Sequence, residues 1–452
     1  MYLFFHFLLP PGKINPLRIL LDISRLVYGT RRRLPSGIDR VEYAYARHWL
    51  ARGNRAVTFL LRGAIGPAVA VPHSLVADFL PLLGKQWGER DLSPDVMKAA
   101  QRLARQARQR QWLGRGQDEL ENALNGPEAP IYLLVSHRLA DRPRPIAALK
   151  QRGARFVALV HDLIPANYPE YARPSSAASH VARVNTFAAL ADGIIVNSIA
   201  TAADLAPHLL RGVNDIPVLA APLGVDAPRT DGNFPRPAGP YFICLGTIEP
   251  RKNHLLLLHI WRDLAQRMGT ETPKLLLIGR RGWENENIID MLERCPALAG
   301  VVREYADLPD DAVAGLLQGA RALLFPSFAE GYGLPLAEAL ALGVPAICSD
   351  LPALREVGGD APDYLSPLDG LGWRHFILGF AEEDSRLREK QLQRLAQWSR
   401  PSWTQHFALV DPWLRQFASL PDPVTARQNA ALSHDVANPV LAAMVPSEAR
   451  SF

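Results

Sequence analysis

Apolar residues fall along the first half of the chain in short unbroken runs, separated by segments of helical spacing. LRILLDIS (17–24), IYLLVS (131–136), RFVALVHD (155–162) and GIIVNS (193–198) predict strands. IDRVEYAYARHWLA (38–51) and SSAASHVARVNTFAALA (175–191) predict helices. Runs that are apolar throughout, rather than at every second position, are those of strands buried on both faces of a parallel sheet. Strand and helix in repeated alternation predict a doubly wound α/β domain.

The alternation stops at DAPRTDGNFPRPAGP (226–240), a polar stretch with four prolines and two glycines that reads as a linker. It then restarts. YFICLGT, KLLLIGR, ARALLFPS and VPAICSD predict strands, and HLLLLHIWRDLAQRM, NIIDMLERC and LPDDAVAGLLQGA predict helices between them. The expected organisation is a first domain over 1–225, the linker at 226–240 and a second domain over 241–395. A closing helical segment over 396–420 and a loose tail over 421–452 follow.

Length changes this picture little: 452 residues exceed one ordinary core. The three cysteines, Cys244, Cys295 and Cys348, form no C-x-x-C pair, which argues against a disulfide framework or structural zinc and for a reducing compartment. The apolar opening MYLFFHFLLP lacks a basic flank and is too short to span a bilayer, so a signal peptide is not expected. No later run reaches the length of a membrane span.

Charge changes it more. Residues 1–115 hold 19 Lys and Arg against seven Asp and Glu, although the whole chain carries only +5. A basic first domain suggests an anionic neighbour. No aromatic-interleaved basic motif points to nucleic acid. Between Asp95 and Asp118 every charge is positive: Lys98, Arg102, Arg105, Arg108, Arg110 and Arg115. Met97, Ala100, Leu103, Ala104 and Ala107 recur at helical spacing, so 97–115 is expected to be a helix with a small apolar face, suited either to an anionic lipid surface or to plain solvent exposure.

Candidate chemistry sits where strands end. After YFICLG comes TIEPRKN, which places Arg251 and Lys252 at the start of a helix. Two cations beside unpaired helix N–H groups suit a diphosphate, and a solvated basic loop is the alternative. After ALLFPSFA comes EGYGLPLAE. Gly331 and Gly333 allow close approach to a ligand, Leu334-Pro335 opens a helix, and Glu330 and Glu338 bracket the turn. Glu338, one turn into the helix, can accept ribose hydroxyls or simply complement the helix dipole. In the first domain Ser36-Gly37 opens a helix after Arg31-Arg32-Arg33, and His161-Asp162 ends a strand. G-Y-G-L-P-L lacks the third glycine of a dinucleotide fingerprint, and no G-x-x-x-x-G-K-[ST] run occurs. Hydride transfer and P-loop chemistry are therefore disfavoured.

Together these residues resemble the retaining glycosyltransferases of family four, which have the GT-B architecture of two Rossmann-like domains facing across a cleft. EGYGLPLAE matches that family's E-x7-E motif, GTIEPRKN its phosphate-binding loop, and SGIDRV and HDLIPANYPEY its first-domain segments. The resemblance implies Arg251 and Lys252 on the donor diphosphate, and Glu330 on the donor sugar with the backbone of Gly331 and Tyr332 beside it. Glu338 would hold the ribose, Gly37 would lie near the phosphates and His161 near the sugar. Ser36-Gly37 departs from the commoner Gly-Gly. Base-reading residues are expected near 302–308.

The resemblance further implies a metal-independent hexosyltransferase with no cofactor and a sugar nucleotide as substrate. It would act in the cytoplasm, on the inner face of the membrane if 97–115 docks there. Its acceptor would be a saccharide or polyprenyl-linked saccharide of O-antigen or capsule assembly. GDP-mannose is the first-choice donor, with other GDP- and UDP-sugars open. A sugar-nucleotide epimerase and an inactive sugar-nucleotide-binding protein of the same architecture are the alternatives.

Overall fold

The computed structural model describes residues 17–32, 34–88, 93–126, 128–210, 215–226 and 234–418. The apolar opening, the core of the expected linker, Arg33 and the expected tail lie outside these residues. Thirteen strands form two sheets among them. The first contains β1 (Ile19–Asp22), β2 (Val57–Leu61), β3 (Val69–Val71), β4 (Ile131–Leu134), β5 (Arg155–Val160), β6 (Gly193–Val196) and β7 (Val218–Ala220), in the order β3-β2-β1-β4-β5-β6-β7. The second contains β8 (Tyr241–Leu245), β9 (Lys274–Ile278), β10 (Val302–Tyr305), β11 (Leu323–Phe325), β12 (Ala346–Ser349) and β13 (Asp363–Leu365), in the order β10-β9-β8-β11-β12-β13.

Every strand pair is parallel except β2–β3. Strands β1, β4, β5, β6 and β12 are buried along their whole length, as their unbroken apolar runs require. Both sheets reverse direction of winding at one point, between β1 and β4 and between β8 and β11. In such sheets the crevice at the strand carboxyl ends beside the reversal is where ligands bind. The expected two-domain doubly wound architecture is the one observed.

Several elements carried too little pattern to be read. β3, β7 and β13 are three residues each, and β7 is only partly buried. The stretch 302–305, near which base-reading residues are expected, forms the edge strand β10, half exposed.

One segment finds its place and one expectation needs correction. The closing helical segment contains the helix Trp403–Ala418, which crosses to the first domain. There Tyr45 Oη and His406 Nε2 lie 2.7 Å apart, Asp411 pairs with His48 and Arg52, and Phe417 and Trp413 pack where Gly193 has no side chain. The basic segment is a helix, Pro94–Trp112, but its alanine face is not available to lipid. Ala100, Ala104 and Ala107 are fully buried against the core that includes helix His73–Gly88, because small side chains let two helices approach closely.

Candidate active site

The second domain supplies the ionic centre, in the loops that follow β8 and β11. Lys252 Nζ donates to Glu330 Oε1 at 2.6 Å and Arg251 Nη1 approaches the same oxygen at 2.8 Å. Arg251 is held in place by Glu249, whose Oε1 accepts from Nε at 2.9 Å and Nη2 at 2.6 Å, and by the Ala329 carbonyl at 2.7 Å. Lys252 also sits 4.5 Å from the Phe325 ring centroid. All three side chains are largely buried, at 16%, 9% and 8% exposure for Arg251, Lys252 and Glu330.

Burial alone would raise the Glu330 pKa, but the charges of Arg251 and Lys252 outweigh it and hold the carboxyl down at about 2. Burial lowers the Lys252 ammonium, and Glu330 resists that shift. The cluster therefore sets two carboxylates, Glu249 and Glu330, against two cations, Arg251 and Lys252, and an incoming anion would compete with Glu330 for both cations. Asn253 adopts a left-handed conformation and starts the helix His254–Met268 immediately behind Lys252. Gly246 and Gly279 bring the ends of β8 and β9 into backbone contact, which any Cβ at Gly279 would block.

Gly333, at φ 99°, turns the chain into the helix Leu334–Ala341. A Cβ on Gly37 would lie 3.1 Å from Leu334 Cδ1, so the N-termini of helices Gly37–Leu50 and Leu334–Ala341 meet across the cleft. Ser36 caps the first of these in a reciprocal pair with Asp39, and Arg25 donates to Ser36 Oγ at 3.0 Å and to Asp39 at 2.6 Å. Glu338 stands apart from the ionic centre. Burial raises its pKa and the Arg40 guanidinium opposes the rise. Arg40 itself makes a bidentate contact with Asp310, at 2.7 and 2.6 Å, joining the two domains.

The cleft is shut over the E-G-Y-G turn. Ser198 Oγ and Thr201 Oγ1 of the first domain donate to the Gly331 carbonyl at 2.8 and 3.1 Å. Any Cβ on Gly331 would strike the His161 carbonyl. Glu356 of the second domain accepts the backbone N–H groups of Ile199 and Ala200. Tyr332 is buried and its hydroxyl donates to the Leu223 carbonyl at 2.7 Å, so its side chain bridges domains and only its backbone remains for a ligand. Tyr171, in the HDLIPANYPEY segment, stacks on Phe328 with centroids 5.7 Å apart and accepts from Trp283 Nε1 through its carbonyl.

His161 is buried, and burial takes its pKa down to about 4, so its imidazole is neutral at ordinary pH. Its Nε2 donates to the Val135 carbonyl at 2.8 Å, which leaves Nδ1 as an acceptor. His137 accepts the His161 backbone N–H at 3.3 Å and packs between the His161 and His180 rings.

The structure thus brings Arg251, Lys252, Glu330, Gly331, Gly333, Leu334, Gly37 and His161 to one cleft, with Glu338 farther along the same helix. Sequence reasoning missed Arg40, Asp310, Ser198, Thr201 and Glu356. Ser198 was within reach, because N-S-I-A-T after a strand is a helix-start signal. Arg40 and Asp310 gave none, being ordinary surface charges until the domains face each other.

Two mainly parallel sheets whose ligand edges face each other define a GT-B protein. Residues 232–363 match the family of glycosyl transferases group 1. The chain is 37% identical to O-antigen chain mannosyltransferase B of Escherichia coli over 163 residues, 36% of this chain and 42% of that protein. It is 28% identical to the serotype-specific mannosyltransferase WbdA of Escherichia coli over 253 residues, 52% of this chain and 30% of that protein. The matches therefore span less than half the length of these relatives. Among solved structures, sucrose-phosphate synthase from Thermosynechococcus elongatus superposes with TM-score 0.50 at 18% identity, over 67% of this chain and 77% of that one. The chain resembles bacterial O-antigen mannosyltransferases on a GT-B fold.

Proposed function

We propose that this protein is a retaining hexosyltransferase that moves mannose from GDP-mannose to a saccharide or polyprenyl-linked saccharide in bacterial surface polysaccharide assembly. The observation that carries the reading is the buried Arg251–Lys252–Glu330 cluster at the β8/β11 reversal, which sets two cations beside a carboxylate ionised at neutral pH. Its likeness to mannosyltransferases of O-antigen chains supports mannose as the sugar.

In this reading the donor diphosphate lies against Arg251 and Lys252, and Glu330 accepts a sugar hydroxyl. As the bond from the anomeric carbon to the diphosphate oxygen breaks, negative charge grows on the diphosphate and the two cations stabilise it. The sugar carries the complementary oxocarbenium-like charge, and the acceptor hydroxyl enters from the face the diphosphate leaves, which preserves configuration. The acceptor proton passes to the departing phosphate oxygen. Neutral His161 offers Nδ1 as an acceptor near the sugar, and Glu338 meets the ribose. No bound metal is required for these steps, so activity is expected to survive EDTA.

Incubation with a panel of radiolabelled sugar nucleotides and a lipid-linked acceptor tests the reading. The expected result is label on the acceptor, greatest with GDP-mannose, and release of nucleoside diphosphate. Label recovered as a new sugar nucleotide identifies an epimerase instead, and binding without turnover of any donor overturns the transferase reading.

A further inference from the structure

We propose that Ile65, Trp112 and Leu113 form a tip that inserts into the headgroup region of an anionic bilayer, with arginines around it resting on the lipid phosphates. The tip replaces the alanine face of helix Pro94–Trp112, which the core occupies.

Ile65 is 91% exposed, Trp112 84% and Leu113 53%. They come from two segments that are fastened together. The loop after β2 carries Ile65, and Gln111 Nε2 donates to its Pro67 carbonyl at 3.1 Å. Tyr28 Oη donates to Gln111 Oε1 at 2.6 Å, and Arg142 Nη1 donates to the Ala64 carbonyl at 2.8 Å. Trp112 and Leu113 follow Gln111 directly. Exposures this high mean side chains that project into solvent rather than line a groove. A projecting apolar knob suits insertion, and tryptophan favours the water–lipid boundary because its ring is amphipathic.

The charge around the tip is basic. Arg105 and Arg108 precede Trp112 by seven and four positions and share its helix stripe. Burial and then Arg31 lower the Arg108 pKa, Tyr28 opposes them and Arg105 adds to them, so three cations lie near one another there. Arg115 and Arg142 are exposed beside the tip. Of the acids that follow the helix, Asp118 is exposed, Glu119 is paired with Arg110 and Glu121 with Arg152. Clustered arginines with few acids are what anionic headgroups neutralise.

Position adds the third argument. The loop after β2, the Arg138–Arg142 loop after β4 and Arg31 after β1 all lie at the carboxyl edge of the first sheet, the edge that faces the cleft. A bilayer at the tip would meet the acceptor side of the cleft, within reach of a lipid-linked acceptor. Only this third argument rests on the transferase reading; the docking is measured without any donor, so either can fail alone.

Flotation with phosphatidylcholine vesicles, with and without phosphatidylglycerol, tests it. Binding is expected only with phosphatidylglycerol and to fall with added salt. Trp112→Ser and Ile65→Ser should each weaken it about tenfold, the scale of one large apolar side chain. Leu371→Ser, at an equally exposed apolar position of the second domain, should not. Unchanged melting temperatures separate lost docking from lost folding. Equal binding to neutral vesicles, or equal loss with Leu371→Ser, overturns the proposal. So does a lipid-free dimer that Trp112→Ser dissociates, since the tip is then a protein contact.

Discussion

Lys252 Nζ lies 2.6 Å from Glu330 Oε1, across the gap between the loops that follow β8 and β11. The pair is buried, so neither residue acts alone. Lys252→Ala removes a charge-assisted contact to the diphosphate, worth roughly 1.5–3 kcal/mol. It also leaves Glu330 with Arg251 as its remaining cation. Nucleoside diphosphate affinity by calorimetry should fall about 10- to 150-fold, and the melting temperature should fall as well. Unchanged affinity removes Lys252 from the donor site.

Glu330 and Glu338 should separate in kinetics. Glu330→Gln keeps the shape but loses the charge that meets the sugar, so turnover should drop at least about tenfold, the worth of one charge-assisted hydrogen bond, with nucleoside diphosphate binding nearly intact. Glu338→Ala should weaken the nucleoside diphosphate itself. Titration of the diphosphate and initial rates for both variants decide this, and identical behaviour refutes the division of roles.

Arg40 and Asp310 should hold the domains together. Their bidentate contact is about one-third exposed on each side, so it is worth about 1 kcal/mol. Asp310→Arg should open the cleft and enlarge the radius of gyration in small-angle scattering. Pairing it with Arg40→Asp should restore the compact form. A radius unmoved by the single change shows that other contacts suffice.

Glu42 should make stability fall as pH rises. It is fully buried, accepts the Leu26 N–H at 3.1 Å, and burial followed by the Asp22 charge pushes its pKa up to about 8. The folded state thus holds a proton that the unfolded chain releases near the ordinary glutamate value. The stabilisation is fully present below that value and is lost as pH climbs from there through about 8. Glu42→Gln mimics the protonated form. It should stabilise the protein by roughly 1–3 kcal/mol at neutral to alkaline pH and flatten the pH dependence of chemical denaturation. A Glu42→Gln protein with an unchanged slope refutes this.

Much of the fold was legible because its signals are local. Unbroken apolar runs such as RFVALV and YFICL demand burial on both faces, and a parallel sheet is the arrangement that provides it. The glycines and first helical residues of EGYGLPL likewise declare a tight turn and a helix start before any packing is known. The second-domain site was equally readable, because Arg251, Lys252 and Glu330 each sit at the end of a recognisable strand.

Tertiary structure decided what depends on meeting a distant surface. The periodicity of Ala100, Ala104 and Ala107 states that one helix face is apolar, but a small apolar face fits a lipid surface and a neighbouring helix alike, and helix His73–Gly88 takes it. The segment 403–418 reads as a helix from its spacing, yet the space left by Gly193 and the partners offered by Tyr45 and His48 determine that it crosses to the first domain. Arg40 and Asp310 are 270 residues apart, and only the closed cleft makes them a pair. Local sequence sets which backbone forms and which face is apolar. Which surface that face covers is a competition among surfaces far apart in the chain, and packing settles it.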